Sequence, residues 1–341
     1  MLDAFDIASV PAESGITPER FAREIVPAAR PVLLRGLVSD WPAVTHGRTS
    51  EVAVASYIKA MDRGIPTSVL ESRNTVQGRF TYGPDMADFN FNHRNKTISE
   101  GIDQLLSVMD RENPPYVYIQ STPTAQYLPR FAAENRNPLL PPQVGPRIWI
   151  SNATRAQTHN DNDYNIACVV AGRRRFTLFP PEQVKNLYIG PFEHTPSGRP
   201  ISLASLEEPD FDTYPKLREA IAQAQVAELE PGDALYIPRY WWHHVQSLDR
   251  FNILINYWWG TPANPLENPA LCFNDAILAI KDLPPAERHY WKTMFDLYIF
   301  QTDGDPVAHI PPRHQGGLGR HTREIRAGLI RSLQQAFLGR N

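Results

Sequence analysis

The run Pro231-Gly232-Asp233-Ala234-Leu235-Tyr236-Ile237-Pro238-Arg239-Tyr240-Trp241-Trp242-His243-His244-Val245 reads as a turn, a short apolar strand, a proline-marked corner and a returning strand that carries histidine. Upstream, Thr158-His159-Asn160-Asp161 sets a histidine and a carboxylate two residues apart. On extended backbone, residues i and i+2 project to one face, so His159 and Asp161 can converge on a single ion. A strand that brings the chain back to the same mouth lets His243 complete a two-histidine, one-carboxylate face. Such a face leaves adjacent positions of Fe(II) open for a bidentate co-substrate and for O2, which is why oxygenases use it. His244 has the opposite strand parity; it is expected to support or to be structural, and it is the alternative ligand to His243.

Around these motifs lie short β runs at 116–120, 147–151, 164–170, 174–179, 234–238 and 252–258, bounded by turn signals such as Ala171-Gly172 and Pro231-Gly232-Asp233. That texture predicts a barrel or a double-sheet jelly roll. Helical signals flank it. Thr17 reads as an N-cap with Pro18 at the first helical position and Phe21, Ile25 and Val26 facing the core; Thr97 and Glu100 read as a capping box. After Pro269 helical periodicity returns. It ends in a segment at 322–338 whose stripe of Ile325, Leu329, Leu333 and Phe337 is expected to be buried within the same chain, or else to pair with a second copy as a homodimer. The expected plan is mainly β with helical flanks, a catalytic region at 1–268 and a helical region at 269–341.

Composition narrows the function classes. The 341 residues carry 34 Lys plus Arg against 37 Asp plus Glu, a formal charge of -3, which argues against a basic nucleic-acid-binding face. With 42% hydrophobic and 21% charged residues the chain can bury a core and is not a disordered polyelectrolyte. Its 32 prolines are scattered as turn punctuation rather than gathered into a linker. The opening Met1-Leu2-Asp3-Ala4-Phe5-Asp6 is acidic where a leader would be basic, and no stretch approaches the roughly 18 apolar residues of a membrane span, so a cytoplasmic protein without a membrane partner is expected. Cys168 and Cys272 show no metal or disulfide spacing, and both are expected to be buried thiols.

From His159 to Trp258 the sequence resembles the cupin-like branch of the Jumonji-C superfamily, close in pattern to the asparaginyl hydroxylase that acts on hypoxia-inducible factor. Gly172-Arg173-Arg174-Arg175-Phe176-Thr177-Leu178-Phe179-Pro180-Pro181 and Tyr240-Trp241-Trp242-His243-His244 carry the likeness, with weaker echoes at Arg35-Gly36 and Asp40-Trp41-Pro42-Ala43. The resemblance implies a double-stranded β-helix and an oxygenase dependent on Fe(II), 2-oxoglutarate and O2. His159, Asp161 and His243 match the iron ligands. Asn165 and Asn256 match polar positions near iron and co-substrate, Trp258 an aromatic on the same wall, and Tyr118 a tyrosine that contacts the co-substrate carboxylate.

Two positions depart from the pattern. Where relatives carry a lysine that pairs with the distal carboxylate of 2-oxoglutarate, this chain has Arg174, whose planar fork can also bind a carboxylate. Parity puts Arg174 on one face with Phe176 and Leu178, and Arg173 and Arg175 on the other. The family's threonine three residues before the first histidine is Ala156 here, and Thr158 is the candidate to replace it. The implied reaction hydroxylates a peptide or protein side chain and releases succinate and CO2; a small-molecule substrate is the open variant. Demethylation and tRNA-base modification are less favoured by the charge and the lack of reader motifs. The rival from another class is a catalytically silent metal-binding cupin that acts as an interaction protein.

Overall fold

The structure is a computed structural model that describes residues 5–73 and 76–338; residues 1–4, read above for a leader, lie outside the described residues. The chain divides into two compact units, residues 1–260 and 261–341. Among the described residues, no helix is long and apolar enough to cross a membrane.

Eight strands of the first unit position the site: β1 (Pro146–Ser151), β2 (Arg155–Asn160), β3 (Tyr164–Ala171), β4 (Arg174–Phe179), β5 (Gln225–Leu229), β6 (Ala234–Ile237), β7 (Trp242–Ser247) and β8 (Asn252–Trp259). A six-stranded sheet has the core order β5-β4-β7-β2, extended by Ala8–Ser9 beyond β5 and Arg79–Phe80 beyond β2. A nine-stranded sheet has the core order β6-β3-β8-β1. Val32–Leu34 and Ala12–Glu13 extend it beyond β6, and Tyr116–Pro123, Thr67–Ser72 and Asn92–Lys96 extend it beyond β1. Except for β4 to β5, successive core strands alternate between the sheets, and every pairing among the eight is antiparallel. This is the jelly-roll winding of a cupin fold.

The apolar periodicity explains the layering. On β3, Ala167 and Val169 join Phe176, Leu235, Val245 and Leu254 in a core between the two sheets. Ile166, Cys168 and Val170 point the other way, where Phe21, Val54, Ile58, Ile102 and Leu105 of the N-terminal helices cover the nine-stranded sheet. A strand buried on both faces is a continuous apolar run, as β3 is. Thr17 caps its helix through the Arg20 amide, and Thr97 with Glu100 forms the full capping box. The Ala171-Gly172 turn requires glycine: Gly172 has φ +69°, and a Cβ there would meet Asn252 Oδ1 at 2.3 Å and the Phe251 carbonyl at 2.6 Å. Asp233 of the Pro231-Gly232-Asp233 turn accepts from the Gly36 amide at 2.9 Å and pairs with Arg35 at 2.5 Å. The Arg35-Gly36 motif thereby ties the N-terminal strand to the barrel.

Residues 261–341 hold the helices Pro269–Ile280, Pro285–Met294 with its continuation Phe295–Ile299, and Arg323–Leu338. Two expectations fail here. Leu329, Leu333 and Phe337 of the last helix are exposed rather than buried within the chain, and Cys272 is exposed while Cys168 is buried. Helical periodicity identifies an apolar stripe but not its partner.

Candidate metal centre and its cavity

His159 near the end of β2 and His243 on β7 face each other across the ladder, their ring centroids 4.3 Å apart. Asp161 follows one residue past β2, where its carbonyl accepts from the Tyr240 amide at 3.0 Å. One ligand atom from each of His159, Asp161 and His243 lies within 4.8 Å of the others, and His243 Nε2 is 3.8 Å from Asp161 Oδ2. His159 Nδ1 donates to the Gln157 carbonyl at 2.7 Å and His243 Nδ1 to the Trp241 carbonyl at 3.0 Å. A carbonyl only accepts, so both Nδ1 atoms carry a proton, which leaves Nε2 of each ring as the nitrogen available to a metal. Burial and then the neighbouring His243 push the His159 pKa down to about 4, which keeps this imidazole neutral and able to ligate at neutral pH. A chain of amides orients the carboxylate: Asn256 Nδ2 donates to Asn165 Oδ1 at 2.7 Å, and Asn165 Nδ2 to Asp161 Oδ2 at 3.3 Å. The donor set and its tautomers fit a divalent metal with adjacent positions left open.

The triad opens on a cavity of about 680 Å³ that Tyr118, Asn165, Arg174, Asn256 and Trp258 also line. Arg174, on β4, is 3% exposed, and its Nε and Nη2 have no hydrogen-bond partner. Burial lowers its pKa to about 10, so it stays charged at neutral pH. Tyr118 lies within electrostatic reach of Arg174, and burial raises its hydroxyl to about 12, so it remains a donor. A buried cation without a carboxylate costs several kcal/mol, and an anionic ligand at the foot of this cavity would remove that cost. Arg173 and Arg175 point outward, onto Asp249 and Glu228, as strand parity requires.

Thr158 is the one expected site residue that does not join. It is buried but does not line the cavity, whereas Ala156 does. Alternation with His159 turns Thr158 away, and a register shift between His243 and Val245, which sets Ala156 opposite Val245 and His159 opposite His243, brings Ala156 to the cavity out of parity. His244 faces away from the triad and contacts Glu207 at 2.8 Å, which leaves His243 as the candidate ligand of the two. Burial alone would raise the Glu207 carboxyl; His244 and Arg155 outweigh it and hold Glu207 down to about 2. Sequence reading missed Arg147, Trp149 and Gln157, which also line the cavity. Their signal was present but weak: Arg147 and Trp149 alternate with buried Ile148 and Ile150 along β1.

The model of the cupin-like domain matches residues 18–264. The chain belongs to the cupin-like domain family. The family match spans the N-terminal helices, the whole jelly roll and every triad residue. Lysine-specific demethylase JMJ31 of Arabidopsis thaliana is 37% identical over 113 residues, 33% of this chain and 20% of that protein. The tRNA wybutosine-synthesizing protein 5 of Gallus gallus is 26% identical over 268 residues, 73% of this chain and 76% of that protein. Human HSPB1-associated protein 1 is 35% identical over 115 residues, 33% of this chain and 22% of that protein. The chain thus spans about a fifth of the demethylase and of the HSPB1-associated protein. None of these three is the asparaginyl hydroxylase, so that narrower likeness rests on the sequence motifs alone. Jumonji-C cupins usually employ Fe(II) and 2-oxoglutarate.

Proposed function

We propose that this cupin is an Fe(II)- and 2-oxoglutarate-dependent oxygenase that hydroxylates a peptide or protein side chain. One observation carries the reading: the buried guanidinium of Arg174, with two unpartnered nitrogens, lies in the same cavity as the two-histidine, one-carboxylate triad. Fe(II) held by His159, Asp161 and His243 would supply the activation of O2 coupled to oxidative decarboxylation of 2-oxoglutarate to succinate and CO2. The chain's own part is positional. Arg174 and Tyr118 would bind the distal carboxylate of the co-substrate, the Asn256–Asn165 pair holds Asp161 in place, and the edge-to-face indoles of Trp149 and Trp258 form an apolar wall of the cavity.

A second reading, modification of a tRNA base, is favoured by the coverage of the wybutosine-synthesizing relative and opposed by the net charge of -3. The test is turnover. Iron-loaded protein incubated with 2-oxoglutarate, O2 and either peptide libraries or total tRNA is expected to release succinate and to add one oxygen to a peptide, with neither in His159→Ala. Oxygen appearing only in the tRNA arm selects the second reading. Iron binding without consumption of 2-oxoglutarate in any arm contradicts both, and makes a silent cupin the better description.

A further inference from the structure

Arg147 on β1 pairs with Asn256 in the ladder, which sets it beside the amides that hold Asp161. Its guanidinium is fixed in place. Nε donates to Ser121 Oγ at 2.7 Å, Nη2 donates to the Ser121 carbonyl at 2.6 Å, and the group lies 5.8 Å from the centre of the Trp258 ring. Ser121 takes φ +47° inside a register shift of the strand Tyr116–Pro123, a left-handed conformation that a residue with a side chain adopts at a cost in strain. That strained position turns both the carbonyl and the hydroxyl of Ser121 onto one arginine, through its Nε and Nη2. Burial lowers the Arg147 pKa, as expected of a charge that lacks a compensating anion.

Four arginines line the cavity, Arg147, Arg155, Arg174 and Arg199, against the two carboxylates of Asp161 and Asp163. Of its arginines, Arg155 has Glu207 at 3.8 Å, and Arg174 awaits the co-substrate. Among the described residues, no carboxylate lies within ion-pair distance of Arg147 or of Arg199, which lines the cavity from the loop preceding Ile201. Ile201 bridges to His159, so Arg199 approaches from the six-stranded sheet while Arg147 approaches from the nine-stranded one. Beside Arg147, the buried Trp258 Nε1–H is a further donor without an acceptor.

We propose that Arg147, together with Trp258 Nε1–H and Arg199, forms a second carboxylate site that selects substrates bearing an acid group close to the oxidised carbon. This deepens the oxygenase reading and rests on it. The shared chemistry is a carboxylate, supplied either by an Asp or Glu side chain of a peptide or by a small free acid. Guanidinium and indole N–H both donate to carboxylate oxygen, and a neutral amide in the same place would offer one weaker acceptor and an opposed donor.

Binding to zinc-loaded protein, read by saturation-transfer NMR, tests the site without turnover. The peptide probes are acetylated degenerate pentapeptides with central Asp or Glu, against the same set with Asn or Gln. The small-molecule probes are 3-phenylpropionate against 3-phenylpropionamide. All are measured with 2-oxoglutarate present, and again in Arg174→Gln so that binding at the co-substrate anchor is recognised. In one of the two arms the acid is expected to bind roughly tenfold more tightly than its amide. Arg147→Gln should abolish that preference, Arg199→Gln weaken it and Arg147→Lys retain part of it, while the affinity for 2-oxoglutarate stays unchanged. The preferring arm identifies the source of the carboxylate. Equal binding of acids and amides in both arms, or a preference that survives Arg147→Gln and Arg199→Gln, overturns the proposal. Should 2-oxoglutarate fail to bind while the acid preference persists and responds to Arg147, the oxygenase reading falls and the carboxylate site stands.

Discussion

Replacing Arg174 by methionine should weaken the co-substrate and strengthen the empty protein at once. Arg174 is 3% exposed, and two of its nitrogens have no partner. Each charge-assisted hydrogen bond those nitrogens make to a carboxylate is worth about 1.5–3 kcal/mol, so losing both weakens binding by at least about 3 kcal/mol, or roughly 100-fold in Kd. Without ligand the sign reverses. An unpaired guanidinium in the interior carries a desolvation cost of several kcal/mol, and an apolar chain of similar volume recovers roughly 1–3 kcal/mol of it. For a unit of this size that raises Tm by about 2–4 °C per kcal/mol. Calorimetric titration with 2-oxoglutarate and scanning calorimetry of the ligand-free protein measure the two effects. An Arg174→Met protein that binds 2-oxoglutarate as the parent does, or that melts well below it without ligand, would refute the reasoning that this charge is held in readiness for an anion.

Three further outcomes follow from the same structure. Asn165→Ala removes the amide that fixes Asp161 and should lower metal affinity about 10–100-fold with the triad intact, as read by competition with a chelating dye. Glu207 is held down to about 2 from an ordinary 4.5, so its contribution is present above pH 4.5 and is lost as pH falls from 4.5 toward 2. Glu207→Gln should flatten the acid limb of stability by roughly 3 kcal/mol over that window in denaturant titrations. Exposure of Leu329, Leu333 and Phe337 on the last helix leads us to expect a homodimer; sedimentation should give twice the chain mass and Leu333→Glu the single mass, while a monomeric parent protein contradicts it.

Much of this architecture was legible because it depends on local, repetitive chemistry. Strand β4 was read at its observed bounds, and the parity of Arg173, Arg174 and Arg175 followed from alternation along a regular strand. The cap at Thr17 followed from the proline that succeeds it, and the cap at Thr97 from the glutamate three residues on. What stayed hidden depends on irregularity or on distant contacts. The strand Asn92–Lys96 is polar and exposed along most of its length, so no apolar rhythm marks it. The expectation for Thr158 failed because alternation with His159 turns it to the opposite face, while the register shift beside His243 brings Ala156 to the cavity instead. Arg147 was passed over because its meaning comes from Ser121, 26 residues earlier, at a strained position that no propensity announces. The triad itself was legible from two motifs far apart in the chain, since the order of metal-binding residue types survives even where the path between them cannot be read.

The central claim is that the triad and Arg174 form one site for iron and 2-oxoglutarate. Anaerobic titration of Fe(II)-loaded protein with 2-oxoglutarate, followed by the visible charge-transfer absorption of the chelate, tests it most directly. The account predicts a saturable band that is absent in His159→Ala and needs much higher 2-oxoglutarate in Arg174→Met. Stoichiometric iron binding at His159, Asp161 and His243 with no band at any concentration of 2-oxoglutarate would contradict it.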